Sequence, residues 1–212
     1  MPNTDELIDE LTTELRPRRK ISPWFGRGLL VVIALLTFAL LVGLLGMRRD
    51  FAAGHPHSVP LISALVILSA GSAVAAALTA MARPAVGSAR SGWLWALAAL
   101  AVLPIAAILT AAGDASERAY MMPPEGPPCL LIGSVASIAS IFVLTLWLRR
   151  GAPTSAARAS WLVGISGGAV GAVAMGLVCP IDAITHIGTW HMGIIVIAAV
   201  GSRLALPRFL RW

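Results

Sequence analysis

The sequence predicts an all-α, polytopic membrane protein: six transmembrane helices in an antiparallel bundle, with both termini cytoplasmic. Three observations lead there. The 212 residues are 58% hydrophobic and only 12% charged, where soluble domains carry about 25% charged residues, and mean hydropathy is +0.83. Six apolar stretches, near 27–47, 59–82, 92–112, 129–148, 160–179 and 187–206, each approach the roughly 20 residues that cross a bilayer as a helix. None alternates with the period of two that barrel strands need. The connections between them are short and rich in Pro, Gly, Ser and Arg.

Residues 1–20 form a separate unit ahead of the spans. TDELIDELTTEL carries Asp5, Glu6, Asp9, Glu10 and Glu14, half of the ten acidic residues in the chain. Leu7, Leu11 and Leu15 recur every fourth residue with Ile8 beside them, which makes one apolar helical face. Asn3 or Thr4 caps the start, with Glu6 three residues after Asn3 as in a capping box. Acid in the first turn suits the helix dipole, and Pro17 stops the helix. A helix of about 12 residues is marginal alone in water and needs a surface for its leucines. An anionic lipid surface fits badly, because interfacial helices present Lys and Arg. A soluble partner with an apolar groove and basic rim, the protein's own basic cytoplasmic face, and a disordered tail remain open.

Orientation follows from the basic residues, which are retained on the cytoplasmic side. Thirteen of the 16 fall on one side: Arg16, Arg18, Arg19, Lys20, Arg27, Arg83, Arg90, Arg149, Arg150, Arg158, Arg203, Arg208 and Arg211. Only Arg48, Arg49 and Arg118 fall on the other. Residues 27–206 are then the membrane domain and 207–212 a cytoplasmic tail. The first span is too long for the core of a signal peptide, and Arg48-Arg49 close it, so it reads as uncleaved. The arginines lie between apolar runs and form no patch with interleaved aromatics, so the net charge of +6 is a topology signal, and direct nucleic-acid binding is not expected.

No acidic residue falls mid-span, which argues against a pump or an ion pathway, although a carrier of neutral molecules survives. No phosphate-cradling glycine loop, H-E-x-x-H or G-x-S-x-G occurs, so an enzyme is not expected. Cys129 opens the fourth span and Cys179 closes the fifth. Folding the chain at their midpoint, in RRGAPTSAAR, brings the two cysteines level at the outer boundary, each about 30 Å from the turn. Level thiols can pair if their Cα atoms come within about 7 Å. A redox or metal role, a structural disulfide and inert packing are the three readings. All four histidines, His55, His57, His186 and His191, fall near the same boundary. Cys179, Asp182 and His186 are plausible ligand types for a soft or borderline ion, at a spacing that matches no standard motif. His191, next to Trp190, reads as an interfacial residue. Gly164, Gly168, Gly167 and Gly171 make small-x-x-x-small pairs that let helices approach closely. Trp24, Trp93, Trp147, Trp161, Trp190 and Trp212 read as interfacial anchors.

These residues carry a family resemblance. TDELIDEL-x3-L followed by basic residues and Pro, six spans, PPC at 127–129, CP at 179–180 and a terminal LPRFLRW resemble the NrsF-type negative regulators of extracytoplasmic-function sigma factors. The resemblance implies a bacterial inner-membrane anti-sigma factor whose N-terminal segment sequesters an extracytoplasmic-function sigma factor. Asp5, Leu7, Ile8, Asp9 and Leu11 would then lie at or near the sigma contact. Cys129 and Cys179 would sense envelope stress, metal or oxidative, and release the sigma factor. No permanent cofactor is expected; a transient metal ion at Cys129, Cys179 and His186 is left open. The rival reading is a small multi-span transporter or a structural membrane subunit.

Overall fold

The computed structural model describes residues 3–13, 22–82, 92–151, 153 and 155–210. The Pro17 stop, RPRRK, Leu15, the loop with Arg83 and Arg90, Arg211 and Trp212 lie outside them. The described residues contain helices and no strand.

Helix α1, Thr4–Thr13, is the expected acidic segment; its first bond runs from the Leu7 N–H to the Asn3 carbonyl. The six spans are α2 (Pro23–Leu45), α4 (Ser58–Met81), α5 (Gly92–Gly113), α7 (Gly126–Leu148), α8 (Ala156–Gly176) and α9 (Ile184–Arg208). Two short helices, α3 (Arg49–Ala52) and α6 (Ala115–Ala119), lie between spans. The bounds differ from the hydropathy reading by a few residues, and the reasons are local. Pro23 opens α2, and Pro127 and Pro128 sit in the first turn of α7, where a missing N–H costs nothing and the fixed φ is already helical. Hydropathy ignores prolines that favour a start. At the other end α8 stops at Gly176, so Cys179 does not close the fifth span but lies in the turn beyond it.

The spans are unequal. Of the most apolar window of α8, 89% is buried, against 11% for α2. Helix α8 is the axis of the bundle and α2 lies on its rim, turning Val31, Leu35, Leu36 and Leu40 outward. In water such a surface would be an association hazard; here lipid is its solvent.

Glycine explains how α8 reaches the centre. A side chain at Gly164 would meet the backbone of Ala198 and Ala199, and one at Gly168 would meet the Ile195 backbone, both on α9. Gly167 and Gly171 face the other way, against Ile141, Ser137 and Gly133 of α7. The two small-x-x-x-small pairs therefore serve two different neighbours. Close backbone approach on both faces is how helices gain dispersion contacts where no hydrophobic force between them is available.

Each end of the bundle is tied together. At the end holding the cysteines, the Arg48 N–H donates to the Leu177 carbonyl at 3.0 Å, Thr185 Oγ1 donates to the Glu117 carbonyl at 2.8 Å, and Trp190 Nε1 donates to the Met121 carbonyl at 2.9 Å. At the other end the Trp147 ring is packed onto Gly26 of α2, and Gly151 onto Ala82. Two of the tryptophans thus depart from the anchor reading. Trp147 is buried and Trp190 turns inward to a carbonyl, because a glycine on the facing helix, Gly26 or Gly126, leaves a slot for each indole. Trp24 stays outside, with the Arg27 guanidinium 4.8 Å from its ring centre.

Gly171→Val is expected to lower the thermal midpoint of the detergent-solubilised protein markedly, because overpacking a tight core costs about 1–3 kcal/mol or more. Gly201→Val, at a position with open space, is expected to leave it unchanged. Circular-dichroism melts of the two variants check this, and equal midpoints would remove α8's close contacts as the organising feature.

Candidate functional site

Cys129 stands in the first turn of α7, where Pro127 and Pro128 set the helix going. Cys179 sits three residues past the end of α8, its N–H bonded to the Met175 carbonyl at 2.9 Å. The α7/α8 hairpin, closed by Gly167 and Gly171, brings the two together: Sγ to Sγ is 3.6 Å, and the cysteines are unbridged. The expected level placement holds, and both thiols are buried. Cys129 is 5% exposed and Cys179 0%, because α9 closes over them.

Helix α9 also delivers two histidines. His186 Nε2 lies 3.5 Å from the Cys179 sulfur, and the His186 and His191 rings meet edge to face with centroids 5.5 Å apart. On a regular α-helix, residues five apart point roughly 140° away from each other. Between them the backbone takes one π turn, Ile187–His191, whose wider pitch stacks i over i+5; such turns gather at functional sites. One ligand atom from each of Cys129, Cys179, His186 and His191 lies within 4.8 Å of all the others. His191, read from sequence as an interfacial residue, is 3% exposed and belongs to the cluster. Its spacing carried no signal, because the π turn that recruits it has no sequence signature.

His186 is 0% exposed, and neither its Nδ1 nor His191 Nε2 has a hydrogen-bond partner among the described residues. A buried polar atom without a partner costs about 1–3 kcal/mol. Packing alone gives no return for two imidazoles in that position.

A second cluster lies just outside the first. Arg48, just past the C-terminal end of α2, is buried and its Nε donates to Asp50 Oδ1 at 2.6 Å, while its Nη2 pairs with Asp182. His57 Nδ1 lies 2.7 Å from Asp182 Oδ2, and the His57 N–H donates to Asp50 Oδ2 at 3.1 Å. Burial works to raise the pKa of the Asp50 carboxyl, but hydrogen bonds from Arg48 and from the backbone at His57 and Phe51 outweigh it and bring it to about 2 from an ordinary 3.8. Arg48 therefore ties the end of the first span to the Cys179 turn twice, through Asp182 and through the Leu177 carbonyl. Of this clasp, sequence reasoning had Asp182 only as a ligand type and missed Arg48, whose partner lies 134 residues away.

Of the sequence-predicted contact residues, Asp5, Leu7, Ile8 and Asp9 all lie on α1 and are exposed, Leu7 by 45% and Ile8 by 51%. Leu11 is on the same helix; its side chain lies outside the described set. An apolar stripe flanked by carboxylates, open to solvent, has the chemistry of a helix that enters a groove.

The chain thus combines six apolar spans with an acidic helix ahead of them and two cysteines side by side at one end of the bundle. The family model described as "negative regulator of sigma F" matches residues 11–212. The chain belongs to the NrsF family. The match begins within α1, so residues 3–10 stand outside it. A relative, the anti-sigma-F factor NrsF of Caulobacter vibrioides (strain NA1000 / CB15N), is 29% identical across 99% of this chain and 99% of its own length. No solved structure matches. Membership makes this a negative regulator of the anti-sigma class, with a sigma factor as its partner and a regulatory role in place of a catalytic one.

Asp50 sets a pH dependence. A carboxyl with a lowered folded pKa stabilises the fold above its unfolded pKa and loses that contribution as pH falls through the folded one. Wild type is thus expected to melt above Asp50→Asn at neutral pH, and the gap to close as pH falls from 3.8 through about 2. Paired melts across that range check it; a gap independent of pH would detach Asp50 from the clasp.

Proposed function

We propose that this protein is a bacterial inner-membrane anti-sigma factor that holds an extracytoplasmic-function sigma factor through α1 and releases it when the cysteine site registers envelope stress. The supporting observation is α1 itself: an acidic helix whose Leu7 and Ile8 are open to solvent in a member of a family of negative regulators of a sigma factor. Sigma factors bind DNA, so they carry basic surface to which Asp5 and Asp9 are complementary, while Leu7, Ile8 and Leu11 supply the apolar contact. The distribution of basic residues supports cytoplasmic termini, which would put residues 1–20 where a soluble sigma factor can reach them and the cysteines at the opposite, outer side. Residues 27–206 would then be the sensing domain and 207–212 a short cytoplasmic tail.

The signal has a physical route in this reading. A metal ion or oxidation at Cys129 and Cys179 would move the turn after α8. Arg48 ties that turn to α2, the span whose other end leads to α1. To pass from 1% to 99% release, the two states must be biased by about 5.5 kcal/mol, which the bonding of two thiolates to one ion, or to each other, can supply.

The test is a pull-down from a lysate of the native host with full-length protein in mild detergent, alongside a Leu7→Asp/Leu11→Asp variant, with mass spectrometry of what is retained. A sigma factor held by the wild type and lost from the variant is expected. Equal recovery by both would make α1 idle and overturn the tether.

A further inference from the structure

We propose that Cys129, Cys179, His186 and His191 form a closed four-coordinate site for one borderline-soft divalent ion of the zinc class, Zn2+ or Cd2+. This deepens the reading of the cysteines as a sensor and rests on it for its regulatory meaning, but its chemistry stands alone.

Distances make the first argument. A tetrahedral ion with metal–sulfur bonds of about 2.3 Å and metal–nitrogen bonds of about 2.0–2.1 Å spaces its sulfurs about 3.8 Å apart, and sulfur from nitrogen about 3.6 Å. The Cys129–Cys179 separation is 3.6 Å and that from Cys179 Sγ to His186 Nε2 is 3.5 Å. The widest edge is at most 4.8 Å and closes by no more than about 1.5 Å to reach tetrahedral spacing.

Charge makes the second. Each thiol gives up its proton as a metal–sulfur bond forms, so two protons leave and one divalent ion enters. Two thiolates balance the ion's two positive charges, and the imidazoles bind neutral. A complex with no net charge suits ligands that are 0–5% exposed, where a lone buried ion would be costly.

The ligand set makes the third. Two sulfurs and two imidazoles, with no carboxylate among them, favour zinc-class ions over Mg2+ and Ca2+. All four positions belong to the protein, as in ion-holding sites and unlike catalytic ones, which keep a position open. A disulfide would use the cysteines and leave the histidines without a role. Yet the chain departs from regular helix at Ile187–His191, which sets His191 beside His186. A narrow cleft lined by Arg48, Pro60, Ser63, Gly176 and Ile187 also reaches His191.

The test loads full-length, thiol-reduced protein in detergent with Zn2+ and reads the coordination by X-ray absorption. Co2+ replaces Zn2+ for visible spectra and competition titrations. One ion per chain, two sulfurs and two imidazole nitrogens are expected, with intense tetrahedral Co2+ bands. His186→Gln and His191→Gln are each expected to weaken binding by at least about tenfold, since even outer-shell partners are worth about 10–100-fold. The wild-type spectrum is decisive without the variants, should they fold poorly. No ion beyond that held by a Cys129→Ser/Cys179→Ser variant overturns the site, as does an ion with sulfur but no imidazole scattering. Sigma-factor capture by the metal-free form of the same protein, before loading, separates the two readings. Capture with no metal signature removes the site and keeps the tether; the full signature with no capture keeps the site and removes the tether.

Discussion

The bundle depends on backbone-to-backbone contact along α8. Helices in lipid gain little from burying leucine against leucine, because the tails outside are equally apolar. What remains is close packing, and α8 achieves it with glycines on two faces, Gly164 and Gly168 toward α9, Gly167 and Gly171 toward α7. The same contacts fix the site. With α7 and α9 both drawn tight against α8, the first turn of α7, the turn after α8 and the start of α9 have nowhere to go but together. The cysteines and histidines sit on those three pieces.

Two kinds of polar structure meet at that end, and they differ in what they cost. The Arg48 clasp is satisfied: its guanidinium has two carboxylates and its N–H a carbonyl. The Cys–His cluster is not, since two ring nitrogens have no partner among the described residues. A satisfied buried network holds one arrangement, whereas one with unpartnered polar atoms is costly to keep. The clasp and the cluster share the turn at 177–183, so a change in one is felt by the other. That turn links the cysteine cluster to the end of the first span.

Helix α1 stands apart from this. Its carboxylates and the open side chains of Leu7 and Ile8 have the character of a surface that is finished by something else, and membership of the NrsF family gives the protein a sigma factor as a partner. The regulator thus divides its work between a membrane body that packs for itself and a leader that does not.

Composition and basic-residue spacing by themselves determined a six-span helical protein, because apolar length and helix period are local properties of the chain. The acidic leader, the level placement of Cys129 and Cys179 and the packing use of the glycines were legible for the same reason: each needs only a helix rise or a four-residue spacing. Tertiary structure alone decided three things. It buried the cysteines that a hairpin left at the boundary, because α9 closes over them. It brought His191 to the cluster, because a π turn defeats the helical spacing by which a sequence is read. It paired Arg48 with Asp182, because no local pattern links residues 134 apart. Periodicity governs what a segment becomes; which segments meet is settled by packing, where small residues let backbones approach.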